Sequence, residues 1–217
     1  MTQNAKQPSA TASSRIFEVI RQDLLSGRFR AGERLSISSL KETYQVGLSP
    51  LREALNRLAA YGLLRQENQR GFRVLELTRV ELDDITEMRR QMEGMAIERA
   101  IANGDEEWES QLLAANHRLT RAGASTPLRE WEQLHTRFHN ALVAPCGSIW
   151  LLRFISQLHD QFDRYRRVAP SAPELRQRLD AQHGELVALA LARDAKGARI
   201  LIEEHITLSS QVAQRSC

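Results

Sequence analysis

Two histidines four residues apart, in the stretch H-T-R-F-H, are the residues of this sequence best suited to chemistry. His135 and His139 would lie one turn apart on the same face of a helix. Two imidazoles at that spacing can reach one metal ion, and facing helices can add further ligands. The alternative is that each histidine is hydrogen-bonded separately and the pair has no shared role.

Two further histidines fall in later helical stretches that are rich in apolar residues. His183 lies in A-Q-H-G-E-L-V-A-L-A and His205 in I-E-E-H-I-T-L. Because an imidazole among apolar helix positions needs a partner, four histidines on three neighbouring helices predict a shared site. Imidazole nitrogens suit Zn²⁺, Ni²⁺ or Cu²⁺ better than Mg²⁺ or Ca²⁺, and we expect zinc or nickel. His117 and His159 are expected at the surface or outside the ligand set.

Arginines supply a second kind of chemistry, because a guanidinium pairs bidentately with a carboxylate. Arg89 lies in T-E-M-R-R-Q-M-E, and Arg164, Tyr165 and Arg166 lie in F-D-R-Y-R-R. These four residues are candidates for binding a small acid. The alternative is that the arginines pair with glutamates along their own helices.

The elements that must position these residues are all helical. Amphipathic stretches joined by short Gly-, Pro-, Ser- and Asp-containing connections predict six helices, at about 79–102, 105–123, 126–144, 148–168, 173–192 and 195–213. Thr78 and Glu81 predict a capping box at the first, and Asp194 predicts the cap of the last. The fold class is therefore mainly α, with a C-terminal six- to seven-helix antiparallel bundle.

The N-terminal third has a different pattern. It predicts helices at 14–26, 36–44 and 49–61, with Ser49 as N-cap and Pro50 at the first position of the third, followed by a hairpin that turns at 68–71. Three short helices and a hairpin make a winged helix-turn-helix, whose second helix of the pair enters a DNA major groove. Ser49, Arg52 and Asn56 would face the bases, and Arg70 and Arg73 would lie along the phosphates or reach the minor groove.

Charge and composition agree with a nucleic-acid partner for this part. Residues 1–78 carry 12 basic and 7 acidic residues, whereas residues 79–217 carry 18 and 20. No apolar run is long enough for a membrane span, and the polar N-terminus is not a secretory signal. The two cysteines, Cys146 and Cys217, form no CxxC pair, so we expect a cytoplasmic protein with Cys146 as a small buried residue.

Residues 31–77 resemble the winged-helix domain of the GntR family of bacterial transcription regulators, most clearly in P-L-R-E-A-L, the following G-L-L and R-G-F-R-V. The helical remainder is similar to the effector (FCD) domain of the FadR-type branch. This resemblance implies metal ligands at His135, His139, His183 and His205, and an effector-anchoring arginine at Arg89. It also implies a homodimer that binds a palindromic operator. The predicted DNA-contacting set is Arg34, Ser38, Ser39, Ser49, Arg52, Asn56, Arg70, Gly71 and Arg73.

Two positions depart from the family pattern. The family usually has Asp where His135 stands, so a pocket in which histidines and arginines hold the acid without metal is an open alternative. It often has arginines where Ser38 and Leu48 stand, so base reading must depend on Ser49, Arg52, Asn56 and the wing. Both departures resemble a subgroup of carbon-starvation-induced repressors of glutarate and 4-aminobutyrate catabolism. That resemblance implies a short dicarboxylate such as glutarate as inducer.

The predicted organisation is a disordered arm at 1–13, a DNA-binding domain at 14–77, an effector-binding and dimerisation domain at 78–213, and a tail at 214–217. The predicted function is a transcriptional repressor that a small carboxylate releases from its operator, and not an enzyme. Two alternatives remain at this stage: a hydrolase-type metalloenzyme with a four-histidine site, and a structural DNA binder without an effector.

Overall fold

The computed structural model describes residues 11–67, 71–122, 126–169 and 173–214. Most of the predicted arm and tail lie outside the described residues. The chain divides into two compact units, with the boundary between Glu76 and Leu77. None of the described helices combines the length and the apolar character that a membrane span needs.

The first unit is a three-helix domain with a small sheet. Its elements are α1 (Ala12–Leu25), β1 (Arg34–Leu35), α2 (Ile37–Tyr44), α3 (Leu48–Ala60), β2 (Leu64–Glu67) and β3 (Gly71–Val74). The strands are antiparallel in the order β1-β3-β2. Leucines at 51, 55 and 58 are fully buried on the inner face of α3, as their spacing predicts. The winged helix-turn-helix is confirmed.

Three local predictions for this unit are wrong. The first helix begins at Ala12 because the Thr11 hydroxyl accepts a hydrogen bond from the Ser14 N–H, so residues 12 and 13 belong to α1 and not to an arm. The cap of α3 is Gly47, and Ser49 lies inside the first turn, where no side-chain cap is made. The helical spacing also predicts Val19 on the buried face of α1 with Ile16 and Ile20, but Val19 is exposed and Phe17 is buried. Strand β1 was not predicted, because two residues carry no periodicity.

The second unit is the predicted helical bundle. Its helices are α4 (Arg79–Asn103), α5 (Glu106–Arg121), α6 (Leu128–Val143), α7 (Ile149–Val168), α8 (Pro173–Leu191) and α9 (Ala195–Ala213). Each bound lies within two residues of the predicted one. The predicted caps are present, since Thr78 accepts from the Glu81 N–H and Asp194 accepts from the Gly197 N–H. Cys146 is buried, as predicted.

The first turn of α4 is tied to α7 through one phenol. The Tyr165 hydroxyl donates to the Glu81 carboxylate and accepts from the Thr78 N–H at 3.2 Å. The Glu81 side chain is therefore engaged with α7 rather than completing the predicted capping box. Tyr165 is fully buried and packs with Leu82, Ile85 and Phe162.

Tyr165→Phe should lower the free energy of unfolding by about 1–2 kcal/mol, because both bonds of the phenol are lost while the ring remains packed. Urea denaturation followed by circular dichroism measures this change. Glu81→Gln is the matched control, since its amide oxygen still accepts from Tyr165, and it should cost less. Equal stability of Tyr165→Phe and the wild type would show that these bonds do not hold α4.

Candidate functional site

Four histidines meet inside the bundle. His135 and His139 project from α6, His183 from α8 and His205 from α9, and one ring nitrogen of each lies within 4.8 Å of the others. The closest pair is Nε2 of His135 and Nε2 of His139, at 3.1 Å. The helices thus bring together the four residues that the sequence predicts as one site.

One of these rings has an oxygen within hydrogen-bond distance of its Nδ1. Nδ1 of His205 lies 3.2 Å from Oε1 of Gln182. Nδ1 of His183 lies 4.0 Å from Oδ1 of Asp180, and its Nε2 is buried with no hydrogen-bond partner among the described residues. A buried imidazole nitrogen with a lone pair and no partner fits a metal ligand.

A buried carboxylate stands behind His139. Glu93 of α4 is 2% exposed and accepts from Arg89 Nε at 2.7 Å, and its Oε1 lies 2.9 Å from Nε2 of His159. Its other oxygen is 3.9 Å from Nδ1 of His139. Burial raises the pKa of Glu93, but Arg89 and His159 more than offset this and lower it to about 2. Glu93 is therefore ionised and forms a buried ion pair with Arg89 behind His139.

The four histidines are neutral in this environment. Burial lowers the pKa of His183 to about 4, with a smaller contribution from Arg166. Burial likewise lowers the pKa values of His135, His139 and His205 well below the usual value, and the neighbouring histidines add to this. Neutral imidazoles are the form that binds metal, so this nitrogen-donor set fits a divalent ion such as Zn²⁺ or Ni²⁺.

A cavity of about 250 Å³ opens beside the cluster. Its lining includes His135, His183 and His205, together with Trp131, Arg166, Arg167 and Arg176. The indole of Trp131 stacks on His135 with ring centroids 4.8 Å apart. The guanidinium carbons of Arg176 and Arg166 lie 4.1 Å and 5.2 Å from the centre of the same indole.

The cavity lining carries both signs of charge, because Glu132 and Asp180 line it together with the three arginines. Arg166 pairs with Asp163 at 2.9 Å, and Arg167 pairs with the buried Glu132. Burial raises the pKa of Glu132, although Arg167 opposes the change. The guanidinium groups of Arg166, Arg167 and Arg176 offer hydrogen-bond donors to an anion in this cavity.

The predicted acid-binding residues separate into two groups. Arg166 lines the cavity, and Arg89 and Arg166 both line a much smaller one next to His135 and His159. Arg164 and Tyr165 line neither, because Tyr165 faces the start of α4 and Arg164 bonds to Gln161 at 2.9 Å. Neither residue is therefore among those that line the two cavities beside the histidines.

Trp131 and Arg176 were not predicted as site residues. Trp131 is four residues before His135 on α6, and Arg176 is seven residues before His183 on α8. Both spacings place a residue on the histidine's face of the helix, so helical periodicity extended from each histidine could have found them.

The predicted DNA-contacting residues form an exposed face on the first unit. Ser38 and Ser39 are exposed at the start of α2, and Ser49, Arg52 and Asn56 are exposed on α3. Arg52 and Asn56 border a cavity of about 130 Å³ together with Gly71 of the wing. The helix and the wing thus offer one continuous surface, as a winged helix-turn-helix requires.

The wing carries a row of arginines across its three strands. Arg34 and Arg65 stand opposite Arg73 in the sheet register. Arg73 is half-buried and donates to Glu67 at 2.6 Å and to the Gly32 carbonyl at 2.7 Å, so it also ties the wing together. Arg65 was missed from the sequence, and Arg70 lies outside the described residues.

Comparisons with known proteins agree with both units. Residues 12–74 match the bacterial regulatory proteins of the gntR family, and residues 84–208 match the FCD domain. The chain is 38% identical to the HTH-type transcriptional repressor GlaR of Escherichia coli over 206 residues, which covers 91% of this chain and 93% of that protein. It is 35% identical to the uncharacterised HTH-type transcriptional regulator BphR of Paraburkholderia xenovorans, covering 92% and 84%.

A solved structure shares the fold. The Escherichia coli protein McbR/YncC superposes with a TM-score of 0.84 at 22% identity, covering 94% of this chain and 98% of that one. Both units of the present chain thus have a counterpart in one known structure.

Because the native state holds His183 neutral, stability should fall with acidification. In the unfolded chain His183 binds a proton near pH 6.5, whereas in the folded chain it binds one only near pH 4. Its contribution to the free energy of unfolding is therefore complete above pH 6.5 and is lost as the pH falls from 6.5 to 4. At pH 5 this one residue should cost about 2 kcal/mol. Urea denaturation of metal-free protein at pH 7.5 and pH 5 should show His183→Gln losing that much less than the wild type. An equal loss would mean that His183 is not held neutral.

Proposed function

The chain belongs to the GntR family of bacterial regulatory proteins with an FCD domain, and we propose that it is a repressor released from its operator by a small dicarboxylate, with glutarate favoured. It is a DNA-binding transcriptional regulator, as its relatives are, and not an enzyme. The observation that carries the proposal is the arginine-lined cavity beside the histidine cluster.

The DNA contact is assigned to α3 and the wing. Arg52 and Asn56 are exposed on the helix that a winged helix-turn-helix places in the major groove, where arginine reads guanine and asparagine reads adenine. The arginine row at 34, 65 and 73 supplies phosphate contacts. A homodimer on a palindromic operator would place two such helices one turn of DNA apart.

The acid site is assigned to the cavity in the bundle. A short diacid has a negative charge at each end, and the cavity is lined by Arg166 and Arg176 as well as by three histidines of the cluster. One carboxylate would meet the arginines and the other the cluster, so the chain of the acid would lie along Trp131. The resemblance to repressors of glutarate catabolism supports a five-carbon diacid.

A divalent metal at the histidine cluster would supply a Lewis acid that holds one carboxylate oxygen. The neutral, buried imidazoles fit Zn²⁺ or Ni²⁺. In the metal-free alternative, the imidazoles and arginines hold the acid directly. Either way the acid changes operator affinity only by binding the DNA-incompetent arrangement more tightly.

Arg52→Ala should weaken operator binding about 10- to 100-fold, because an exposed arginine on the recognition helix is worth about 1–3 kcal/mol. Electrophoretic mobility shift with the promoter of the adjacent genes measures this change. Arg118→Ala, an exposed arginine on α5, is the matched control and should bind normally. Unchanged binding by Arg52→Ala would remove α3 from the DNA contact.

Glutarate should release the operator, and Arg176→Gln should weaken glutarate binding about 10- to 100-fold with unchanged operator affinity, since it removes a charge-assisted hydrogen bond. Isothermal titration calorimetry and the operator-release assay measure the two quantities. Arg178→Gln removes an exposed arginine two residues along the same helix and should respond as wild type. If no short mono- or dicarboxylate binds or releases the operator, the proposed function is refuted.

A further inference from the structure

The histidines of the cluster differ in the kind of group that lies next to their Nδ1 atom. Nδ1 of His205 lies 3.2 Å from Oε1 of Gln182, within hydrogen-bond distance. A Glu93 oxygen lies 3.9 Å from Nδ1 of His139 and an Asp180 oxygen lies 4.0 Å from Nδ1 of His183, so neither forms a hydrogen bond here, but each is a carboxylate on that side of the ring. An acceptor at Nδ1 favours the tautomer with its proton there, which leaves the Nε2 lone pair directed at the cluster. This outer arrangement is the one that prepares an imidazole as a metal ligand.

His135 has the opposite arrangement. Its Nδ1 lies 3.3 Å from Nη1 of Arg166. A guanidinium has only donors, so the Nδ1 of His135 must be the acceptor and carries no proton. The proton of the neutral ring is then on Nε2, which lies 3.1 Å from Nε2 of His139 and can donate to it.

We infer that His135 is a hydrogen-bond donor and not a metal ligand, and that Arg166 is the positioning residue that sets it in this role. The inference rests on the proposed metal at the histidine cluster and narrows its ligands to His139, His183 and His205. When a metal takes the Nε2 lone pair of His139, the Nε2 proton of His135 loses that acceptor. The proton is then available to an oxygen of the bound acid.

A metal site with three imidazole ligands suits the binding of an acid better than a site with four. Four nitrogens close a tetrahedral site, whereas three leave a position open for an exogenous ligand. His135, Arg166 and Trp131 all line the larger cavity, so an acid in it can reach the open position and the His135 donor together. The acid carboxylate would thus bind to the metal through one oxygen and accept from His135 through the other.

The ligand assignment is tested with cobalt(II) titrated into chelator-treated protein, with affinity from competition against a chelating dye. His135→Phe should change cobalt affinity less than about 3-fold, because no ligand is lost and the ring can still stack on Trp131. His183→Phe and His205→Phe are the matched variants and should each weaken cobalt binding about 100-fold or more, since each loses a ligand.

The role of Arg166 is tested by removing the donor that fixes the tautomer. In Arg166→Met the Nδ1 of His135 can carry the proton, so Nε2 becomes a fourth ligand and cobalt affinity should rise about 10-fold with a stronger visible absorption band. Arg176→Met removes a charge from the same cavity without touching His135, and it reports what loss of charge alone does. In the double variant Arg166→Met with His135→Phe, the gain in cobalt affinity beyond that of Arg176→Met should disappear.

The outcomes separate this inference from the proposed function. If His135→Phe loses as much cobalt affinity as His183→Phe, His135 is a ligand and the inference is overturned, while the proposed regulator stands. If Arg166→Met matches Arg176→Met in affinity and spectrum, Arg166 does not position His135. If the wild type binds no cobalt, the metal part of the proposed function and this inference fail together, although release of the operator by glutarate would still support the acid site.

Discussion

The buried ion pair between Arg89 and Glu93 is the interaction on which the effector bundle depends. It lies inside α4, with Nε and Oε1 2.7 Å apart, and the Arg89 guanidinium lies 4.5 Å from the ring centre of Phe162 on α7. The same carboxylate contacts His159 and faces His139. Breaking a buried pair by removing one partner typically costs about 3–5 kcal/mol, so packing and site geometry are secured by the same groups.

Much of the fold could be read from local chemistry. The bundle helices end where the sequence has Gly, Pro, Ser or Asp, and their bounds follow within two residues because caps and breakers act locally. The histidine set could be read for a related reason. Two of its members share a helix face, and the other two lie among apolar residues of amphipathic helices that must face the core.

The sequence did not predict which way individual side chains of α7 point, or which residues of other helices they contact. Consecutive residues on a helix point about 100° apart, so the run from Arg164 to Arg167 could not all face one cavity. Arg164 and Tyr165 turn elsewhere, whereas Arg166 and Arg167 face the histidines. The contact between Arg166 and His135 joins residues 31 positions apart, and no periodicity along one helix encodes such a pair.

Tyr165 gives α7 a mechanical role beyond lining the cavity. One turn of this helix carries Tyr165, bonded to the first turn of α4, and Arg166, which lines the cavity beside the histidines. Because the two residues are consecutive on one helix, a small axial rotation of α7 would displace both side chains together. The second unit starts at Leu77 and α4 begins two residues later. Such a rotation would therefore act on the first residues of the bundle.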